Sequence, residues 1–190
     1  MIKESVILET KRLILRPWAP EDAEILYEYA KNPAIGPAAG WQPHQSVNHS
    51  RQILSDYLCV PETYALVLKN LNHPIGSIGL KNGKQSTIIR SADEAEIGYW
   101  LAQPFWGQGL MPEAVERIMQ HAYLDLKLKK LWAGYYEGND KSRRVMQKCG
   151  MSYEYSKKKY VTALDEEKTE HVFSLTKEKW MLAQQMGIKR

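Results

Sequence analysis

The chain has 190 residues, of which 44% are hydrophobic and 10% aromatic, so we expect one packed domain over residues 1–190 and exclude wholesale disorder. No run of about 18 consecutive apolar residues is present, which argues against a membrane-spanning helix. The formal net charge of +4 is spread over single residues and pairs, apart from the lysine run 157–159. We expect that run to be a solvated strand face and do not expect a nucleic-acid surface.

The N-terminal segment and the cysteines favour a cytoplasmic protein. The start MIKESVILETKRL has a short apolar stretch with charges soon after it, which is unlike a secretory signal peptide. Cys59 and Cys149 lack metal-binding spacing and are typical of small buried residues in a reducing compartment. The five histidines show no metal-ligand pattern. Neither a bound metal nor a membrane partner is therefore expected.

The N-terminal half is predicted to contain a strand, two helices and three further strands. The first strand covers residues 12–16, the first helix opens at Pro20, and Ser46 caps the second helix. Between the helices, residues 36–46 are rich in glycine and proline and are predicted to be a loop. Three strands are predicted next, at 64–68, 75–80 and 95–101. The short connections between these strands favour antiparallel pairing.

The C-terminal half is predicted to alternate helices and strands. A helix from Pro112 to about Leu126 has apolar residues at helical spacing. Another helix follows Asn139 and ends at Gly150, a candidate left-handed residue. The remaining elements are a strand at 131–136, a hairpin of 153–161 with 171–175, and an amphipathic tail at 178–186. This order predicts an α+β fold with a mixed, mostly antiparallel sheet of about seven strands flanked by helices.

Two glycines lie close together in the segment QPFWGQGLMPEA, between a strand end and a helix start. Gly107 and Gly109 are compatible with an ordinary tight turn. They are equally compatible with an anion site, because free amides at a helix N-terminus suit a phosphate and glycine lets it approach the backbone. The spacing fits neither known nucleotide loop: a dinucleotide fingerprint would need glycine at Pro112, and no P-loop motif is present.

The strings GYWLAQPFWGQGLMPEA and GNDKSRRVMQKCGM resemble the GNAT acetyltransferase superfamily, and most closely its ribosomal-protein N-acetyltransferase branch of the RimJ/RimL type. The likeness extends from ETKRLILRPW, at residues 9–18, to the C-terminal hairpin. It implies that backbone amides of the turn bind the pyrophosphate of acetyl-CoA. The turn residues would be Trp106, Gly107, Gln108, Gly109, Leu110 and Met111. Trp106 and Met111 depart from the broad superfamily pattern.

The resemblance also implies roles on either side of the turn. The backbone of Tyr99, Trp100 and Leu101 would pair with the pantetheine arm as an added strand would. The side chains of Tyr99 and Trp100 are expected to be ordinary core aromatics. Asn139 would bond the same arm and Ser142 would lie near the sulfur, although Asn139 is also a favoured helix cap.

The resemblance further implies candidates for proton transfer. Glu96 lies on the strand before the turn, where the family often places a general base. An exposed strand carboxylate beside Glu94 is the alternative interpretation. Met146 occupies the position where many relatives have an acidic tyrosine, which leaves Ser142 as the best candidate for protonating or orienting the leaving thiolate.

Taken together, these features predict an acetyl-CoA-dependent N-acetyltransferase that acts by direct attack of a primary amine in a ternary complex. The acceptor would be a protein N-terminus or a small amine, bound near the loop 36–46, which includes His44, and the turn 164–168. We expect His44 to be a surface residue, with lining of the acceptor pocket as the alternative. The alternative function is a non-catalytic acyl-CoA-binding module. A homodimer is compatible with the apolar residues of the tail 178–186.

Overall fold

The structure is a computed structural model that describes residues 6–187. Within that range the strands form one mixed sheet of eight strands, which follow one another in chain order except that the eighth lies between the sixth and the seventh. Helices flank the sheet, so the predicted α+β class is confirmed, with one more strand than the sequence indicated. The chain divides into two compact units, one made of residues up to Gly79 with Tyr99–Ala114, the other of Leu80–Gly98 with the chain from Val115 onward.

The first unit combines antiparallel strands with three helices and ends in the glycine-containing turn. Its elements are β1 (Leu8–Glu9), β2 (Leu13–Pro17), α1 (Ala23–Ala30), α2 (Gly36–Ala39), α3 (Val47–Ile53), β3 (Thr63–Leu68) and the first part of β4 (Pro74–Lys81). A π turn at Leu54–Leu58 continues α3. Trp18, Leu26 and Leu54 are at the centre of its apolar core, against which Trp41 and Trp100 pack. Trp100 brings the end of β5 (Glu94–Leu101) into this core.

The second unit holds the only parallel strand pair among the registers that the structure describes. Its elements are the start of β5, most of α4 (Leu110–Gln120), β6 (Lys130–Tyr136), α5 (Asp140–Lys148), β7 (Ser152–Val161), β8 (Glu166–Thr176) and α6 (Lys177–Gln185). β5 runs parallel to β6 over three residues, from Glu94 opposite Lys130 to Glu96 opposite Trp132. β6 and β7 are both antiparallel to β8. Ile88, Trp132 and Val172 form the apolar cluster of this sheet region.

Several predicted boundaries agree with the structure because the local chemistry fixes them. Ser46 caps α3, its hydroxyl accepting a hydrogen bond from the backbone N–H of His49 (3.0 Å). Gly150 follows α5 with a φ of +76°, as its predicted left-handed role requires. On α4 the predicted stripe is buried at Val115, Ile118 and Met119.

Other predictions were wrong in detail. The segment 36–46 is not entirely a loop, because Gly36–Ala39 forms one helical turn that Gly40 closes with a φ of +92°. The short strand β1 was missed because two residues carry too little pattern to be recognised. The helix after the glycine turn begins at Leu110, two residues before Pro112, and it ends at Gln120, where a π turn replaces its predicted last turn. Proline tolerates that position because the first helical amides lack intrahelical partners.

No helix among residues 6–187 combines the length and the apolar character needed to cross a membrane. The tail forms α6, which buries Trp180 and Ala183 and leaves Met181 and Leu182 exposed.

Candidate functional site

The glycine turn has a backbone that demands glycine twice. Gly107 and Gly109 have φ values of +76° and +74°, in the left-handed region where a side chain is strained. A Cβ built on Gly107 would have no described atom within 4 Å, so it would project into open space. A Cβ on Gly109 would instead lie 3.6 Å from Nη2 of Arg12. The left-handed backbone of the turn therefore explains why both residues are glycine, and the space beside Gly107 is open.

The helix that follows presents its first amides at the end of this turn. α4 has eleven residues, and the N–H of Glu113 bonds the carbonyl oxygen of Gly109 at 3.3 Å. The amides of Leu110 and Met111 precede that bond, so they have no intrahelical acceptor. The side chains of both residues are buried. Met111, the unusual residue of the motif, thus contributes its side chain to the core and leaves only its backbone for an anion.

An ionic network ties the N-terminal strand to the turn. Oε1 of Glu113 accepts hydrogen bonds from the backbone N–H of Arg12 (2.8 Å) and the hydroxyl of Thr10 (2.5 Å), and its Oε2 accepts one from Nε of Arg12 (2.7 Å). Nη1 of Arg12 donates to the carbonyl oxygen of Gln108 (2.9 Å). Burial alone would raise the pKa of Glu113, but the bonds from Thr10 and Arg12 outweigh it and hold that pKa below its usual value. No sequence pattern indicates this network, because it joins residues about a hundred positions apart.

The end of β5 is packed and partly bonded within the first unit. The ring of Trp100 stacks on Trp18 at a centroid distance of 6.5 Å and meets Trp41 edge-on at 6.1 Å. This confirms the packing interpretation for the Trp100 side chain. The carbonyl oxygen of Leu101 accepts a 2.7 Å hydrogen bond from the indole nitrogen of Trp106. One acceptor position of the predicted pantetheine strand is therefore already in use within the chain, and a carbonyl oxygen has a second lone pair to offer.

Glu96 and its neighbour Glu94 have different environments. The Glu96 side chain is 14% exposed, its Oε1 lies 3.2 Å from Nζ of Lys81, and its Oε2 accepts a 2.7 Å hydrogen bond from Ser86. Glu94 accepts bonds from the indole nitrogen of Trp132 and the backbone N–H of Arg90. The alternative interpretation of Glu96 as an exposed strand carboxylate was wrong. Of the two, Glu96 is the one whose partners are a half-exposed lysine and a hydroxyl.

A buried carboxylate in the second unit was not anticipated from the sequence. The Glu170 side chain is 6% exposed and pairs with Nζ of Lys159 at 3.0 Å and of Lys157 at 3.3 Å. A Cβ on Gly134 would come within 3.2 Å of its Oε1. Burial alone would lower the pKa of Lys159, but Glu170, Tyr136 and Glu96 outweigh it and raise that pKa. The lysine run is therefore not a uniformly solvated face: Lys158 at its centre is 77% exposed, whereas Lys157 and Lys159 are 30% and 32% exposed. Strand alternation in that run could have indicated this pattern.

Asn139 and Ser142 lie at the start of α5. Oδ1 of Asn139 accepts the backbone N–H of Ser142 at 3.2 Å and caps the helix. The structure thus confirms the capping role of Asn139, while the roles of Asn139 and Ser142 towards a cofactor stay predictions. Met146 is 1% exposed and belongs to the core, so this position offers neither a proton donor nor a surface.

His44 was expected at the surface, and this was wrong. Its side chain is buried and its Nδ1 lies 2.7 Å from the hydroxyl oxygen of Ser50, which is buried as well. The ring also packs against Trp41 at 5.3 Å. Burial, with a smaller contribution from His49, lowers the pKa of His44 to about 4. His44 is therefore a neutral core residue at pH 7. Among residues 6–187 no cluster of His, Cys, Asp and Glu has the arrangement of a metal site.

Three comparisons with known proteins agree on one family. A model of the acetyltransferase (GNAT) domain matches residues 12–152. The uncharacterized N-acetyltransferase p20 of Bacillus licheniformis is 28% identical over 80% of this chain and 88% of that protein. A GNAT-family acetyltransferase structure from Bacillus anthracis aligns with a TM-score of 0.79 at 20% identity, covering 91% of this chain and 99% of that one. For the ribosomal-protein-S5-alanine acetyltransferase of Vibrio fischeri the TM-score is 0.71 at 22% identity, with coverages of 92% and 98%.

Proposed function

Because this chain belongs to the GNAT acetyltransferase family, we propose that it transfers the acetyl group of acetyl-CoA to a primary amine in a ternary complex. The acceptor is a protein N-terminus or a small amine. The observation that carries the proposal is the glycine turn, with two left-handed glycines, open space over Gly107 and a long helix starting at Leu110. Consecutive amides in such a turn, together with the positive end of a helix dipole, suit a diphosphate.

The proposed roles around the turn follow the family resemblance. The amides of residues 106–111 hold the pyrophosphate, and the backbone of residues 99–101 pairs with the pantetheine arm. The indole of Trp106 already bonds the carbonyl oxygen of Leu101, so that oxygen would have to bond the arm through its second lone pair. Asn139 and Ser142 contact the thioester end of the arm. The side chain of Trp100 has a packing role only.

In the proposed reaction the acceptor nitrogen forms a bond to the thioester carbonyl carbon as the carbon–sulfur bond breaks. The acceptor is mostly protonated at neutral pH, so one proton must leave it before attack. Glu96 takes up that proton. The nitrogen loses a second proton as the amide forms, and the departing thiolate of CoA takes that one up. The contacts of Lys81 and Ser86 with Glu96 hold its carboxylate in one position on β5. Ser142 orients the sulfur.

An N-terminal α-amine fits this weak base better than a lysine side chain does. An α-amine with a pKa near 8 is about one tenth neutral at pH 7, whereas a lysine near 10.4 is neutral in roughly one molecule per few thousand. Structural neighbours include an enzyme named for the alanine of ribosomal protein S5. We propose that the chain acts as the ribosomal-protein N-acetyltransferase branch does, and a protein N-terminus is the first acceptor to test.

A non-catalytic acyl-CoA-binding module is the second candidate function. Two observations favour it: Met146 fills the position of the acidic tyrosine and is buried, and Lys81 already pairs with Glu96. The variant Glu96→Gln separates the candidates. An enzyme with a working base loses most of its turnover while its affinity for CoA is kept. A wild-type protein that binds CoA but acetylates no N-terminal peptide or small amine is the binding module.

Calorimetric titration with acetyl-CoA tests the cofactor site itself. Gly107→Trp is the sharpest variant, because its side chain would project into the open space that we assign to the diphosphate. Gly187→Trp is the matched control, since Gly187 also has a left-handed φ, of +62°, and open space around its Cβ. We expect micromolar binding by the wild type and the control, and none by Gly107→Trp. Absence of binding by a folded wild type would refute the proposal.

A further inference from the structure

Arg12 immediately precedes β2, and its guanidinium reaches the glycine turn. Its Nη1 donates to the carbonyl oxygen of Gln108 at 2.9 Å. The same guanidinium is held by Glu113, whose Oε2 accepts from Nε at 2.7 Å. Glu113 is itself fixed by the hydroxyl of Thr10 and the backbone N–H of Arg12. Arg12 therefore bridges the turn and the first turn of α4 in one fixed geometry.

That bridge sets the direction of one amide in the turn. The peptide between Gln108 and Gly109 is planar and trans, so its C=O and N–H point in opposite directions. Because Arg12 holds the C=O of Gln108, the N–H of Gly109 points away from the guanidinium. A left-handed glycine could otherwise rotate this peptide at little steric cost. From this geometry we propose that Arg12 is a positioning residue, which aims the Gly109 amide at the diphosphate without touching the ligand.

Arg12 also offsets an unfavourable charge. Glu113 is ionised in the first turn of α4, as its lowered pKa indicates, and a carboxylate there repels an incoming diphosphate. The guanidinium of Arg12 pairs with the Glu113 carboxylate and so offsets its negative charge. A lysine in place of Arg12 would keep one positive charge but could not hold Glu113 and the Gln108 carbonyl with a rigid fork. The inference rests on the proposed function, since it concerns the same anion site.

Three variants separate positioning from a direct charge contact and from a purely structural role. Arg12→Lys is expected to raise the dissociation constant for CoA by about tenfold, the order expected for one misdirected hydrogen bond to a charged group. Arg12→Gln is expected to raise it by more, because it also leaves the charge of Glu113 unpaired. Arg16→Lys is the matched control: Arg16 lies within β2, four residues after Arg12, and pairs with Asp22 instead of the turn, so its variant should bind CoA as the wild type does. Wild-type affinity in Arg12→Lys, with loss only in Arg12→Gln, would show a charge contact and overturn the inference.

A second measurement does not depend on CoA. The nitrogen-15 chemical shift of the Gly109 amide in the free protein is expected to change in Arg12→Lys and to stay at the wild-type value in Arg16→Lys. An unchanged Gly109 resonance in Arg12→Lys would overturn the inference whatever the ligand does. If the wild type binds no CoA but the Gly109 shift moves as expected, the proposed function fails while the orienting role of Arg12 stands.

Discussion

A Cβ added to Gly76 would lie 2.4 Å from the carbonyl oxygen of Trp100. The neighbour is backbone on the adjacent strand, so no side chain can rotate away to make room. We expect Gly76→Ala to lower the free energy of unfolding by at least about 2 kcal/mol, because the two strands must separate locally. Urea unfolding measures this. Gly98→Ala is the control, since its Cβ would meet the flexible Lys81 side chain at 3.0 Å, and equal losses in both variants would contradict the argument.

The indole of Trp106 provides a second prediction. Trp106→Phe keeps an aromatic ring at the entrance of the turn but removes the hydrogen bond to the carbonyl oxygen of Leu101. We expect a loss of about 1 kcal/mol in the free energy of unfolding, the usual contribution of one such bond. We also expect weaker CoA binding, because the turn loses an anchor at its first residue. Chemical denaturation and calorimetry measure the two effects, and an unchanged stability would rule out a structural role for the bond.

The pKa of His44 makes stability depend on pH in a defined window. Burial lowers this pKa to about 4 in the folded protein, whereas an unfolded histidine titrates near 6.5. Between these values the unfolded chain binds the extra proton, so stability is full above about pH 6.5 and falls as the pH drops towards 4. The slope from one such group is at most about 1.4 kcal/mol per pH unit. His44→Gln should make the free energy of unfolding less dependent on pH in this window, as urea midpoints at pH 4.5, 5.5 and 7 would measure. A variant whose midpoints change with pH as those of the wild type do would contradict the prediction.

The ion pair of Arg16 with Asp22 is expected to stabilise the first unit. Nη1 and Nη2 of Arg16 donate to the Asp22 carboxylate at 2.8 and 2.7 Å. The same carboxylate accepts a hydrogen bond from the backbone N–H of Ala19. Asp22→Ala should cost about 2 kcal/mol, because a mostly buried guanidinium loses its partner. Glu28→Ala is the comparison, since the Glu28–Lys31 pair is exposed and should contribute under about 0.5 kcal/mol. Thermal unfolding distinguishes the two, and similar shifts would contradict the burial argument.

Local signals in the sequence predicted most elements of the fold. Helix caps such as Ser46 and left-handed ends such as Gly150 depend on neighbouring residues, so they can be recognised in one dimension. The same holds for the glycine turn, because a strand, two glycines and a helix follow one another directly. The short helix α2 was missed because proline and glycine are typical of turns. Only the tertiary structure decides whether such a segment forms a turn or a short helix.

Long-range pairing explains what the sequence could not supply. Glu170 and Lys157 face each other only because β7 and β8 pair in one particular register. The distinction between Glu94 and Glu96 depends on which partners reach them from Trp132, Lys81 and Ser86. The burial of His44 likewise depends on Ser50 and Trp41, which pack around it. No periodicity or motif carries this information.

The bridge between Arg12 and Glu113 joins residues 101 positions apart. The hydrogen bonds of Arg12 to the turn can therefore form only after the segment with Arg12 and β2 has packed against it. Because contacts between residues so far apart in sequence form slowly, this step is expected late in folding. By linkage, a ligand that selects the finished turn also stabilises the strand that finishes it. Saturating CoA should then slow deuterium uptake not only at residues 106–111 but also along β2, far away in the chain. The two protected segments would be distant in sequence and joined in space by the ion pair of Arg12 with Glu113.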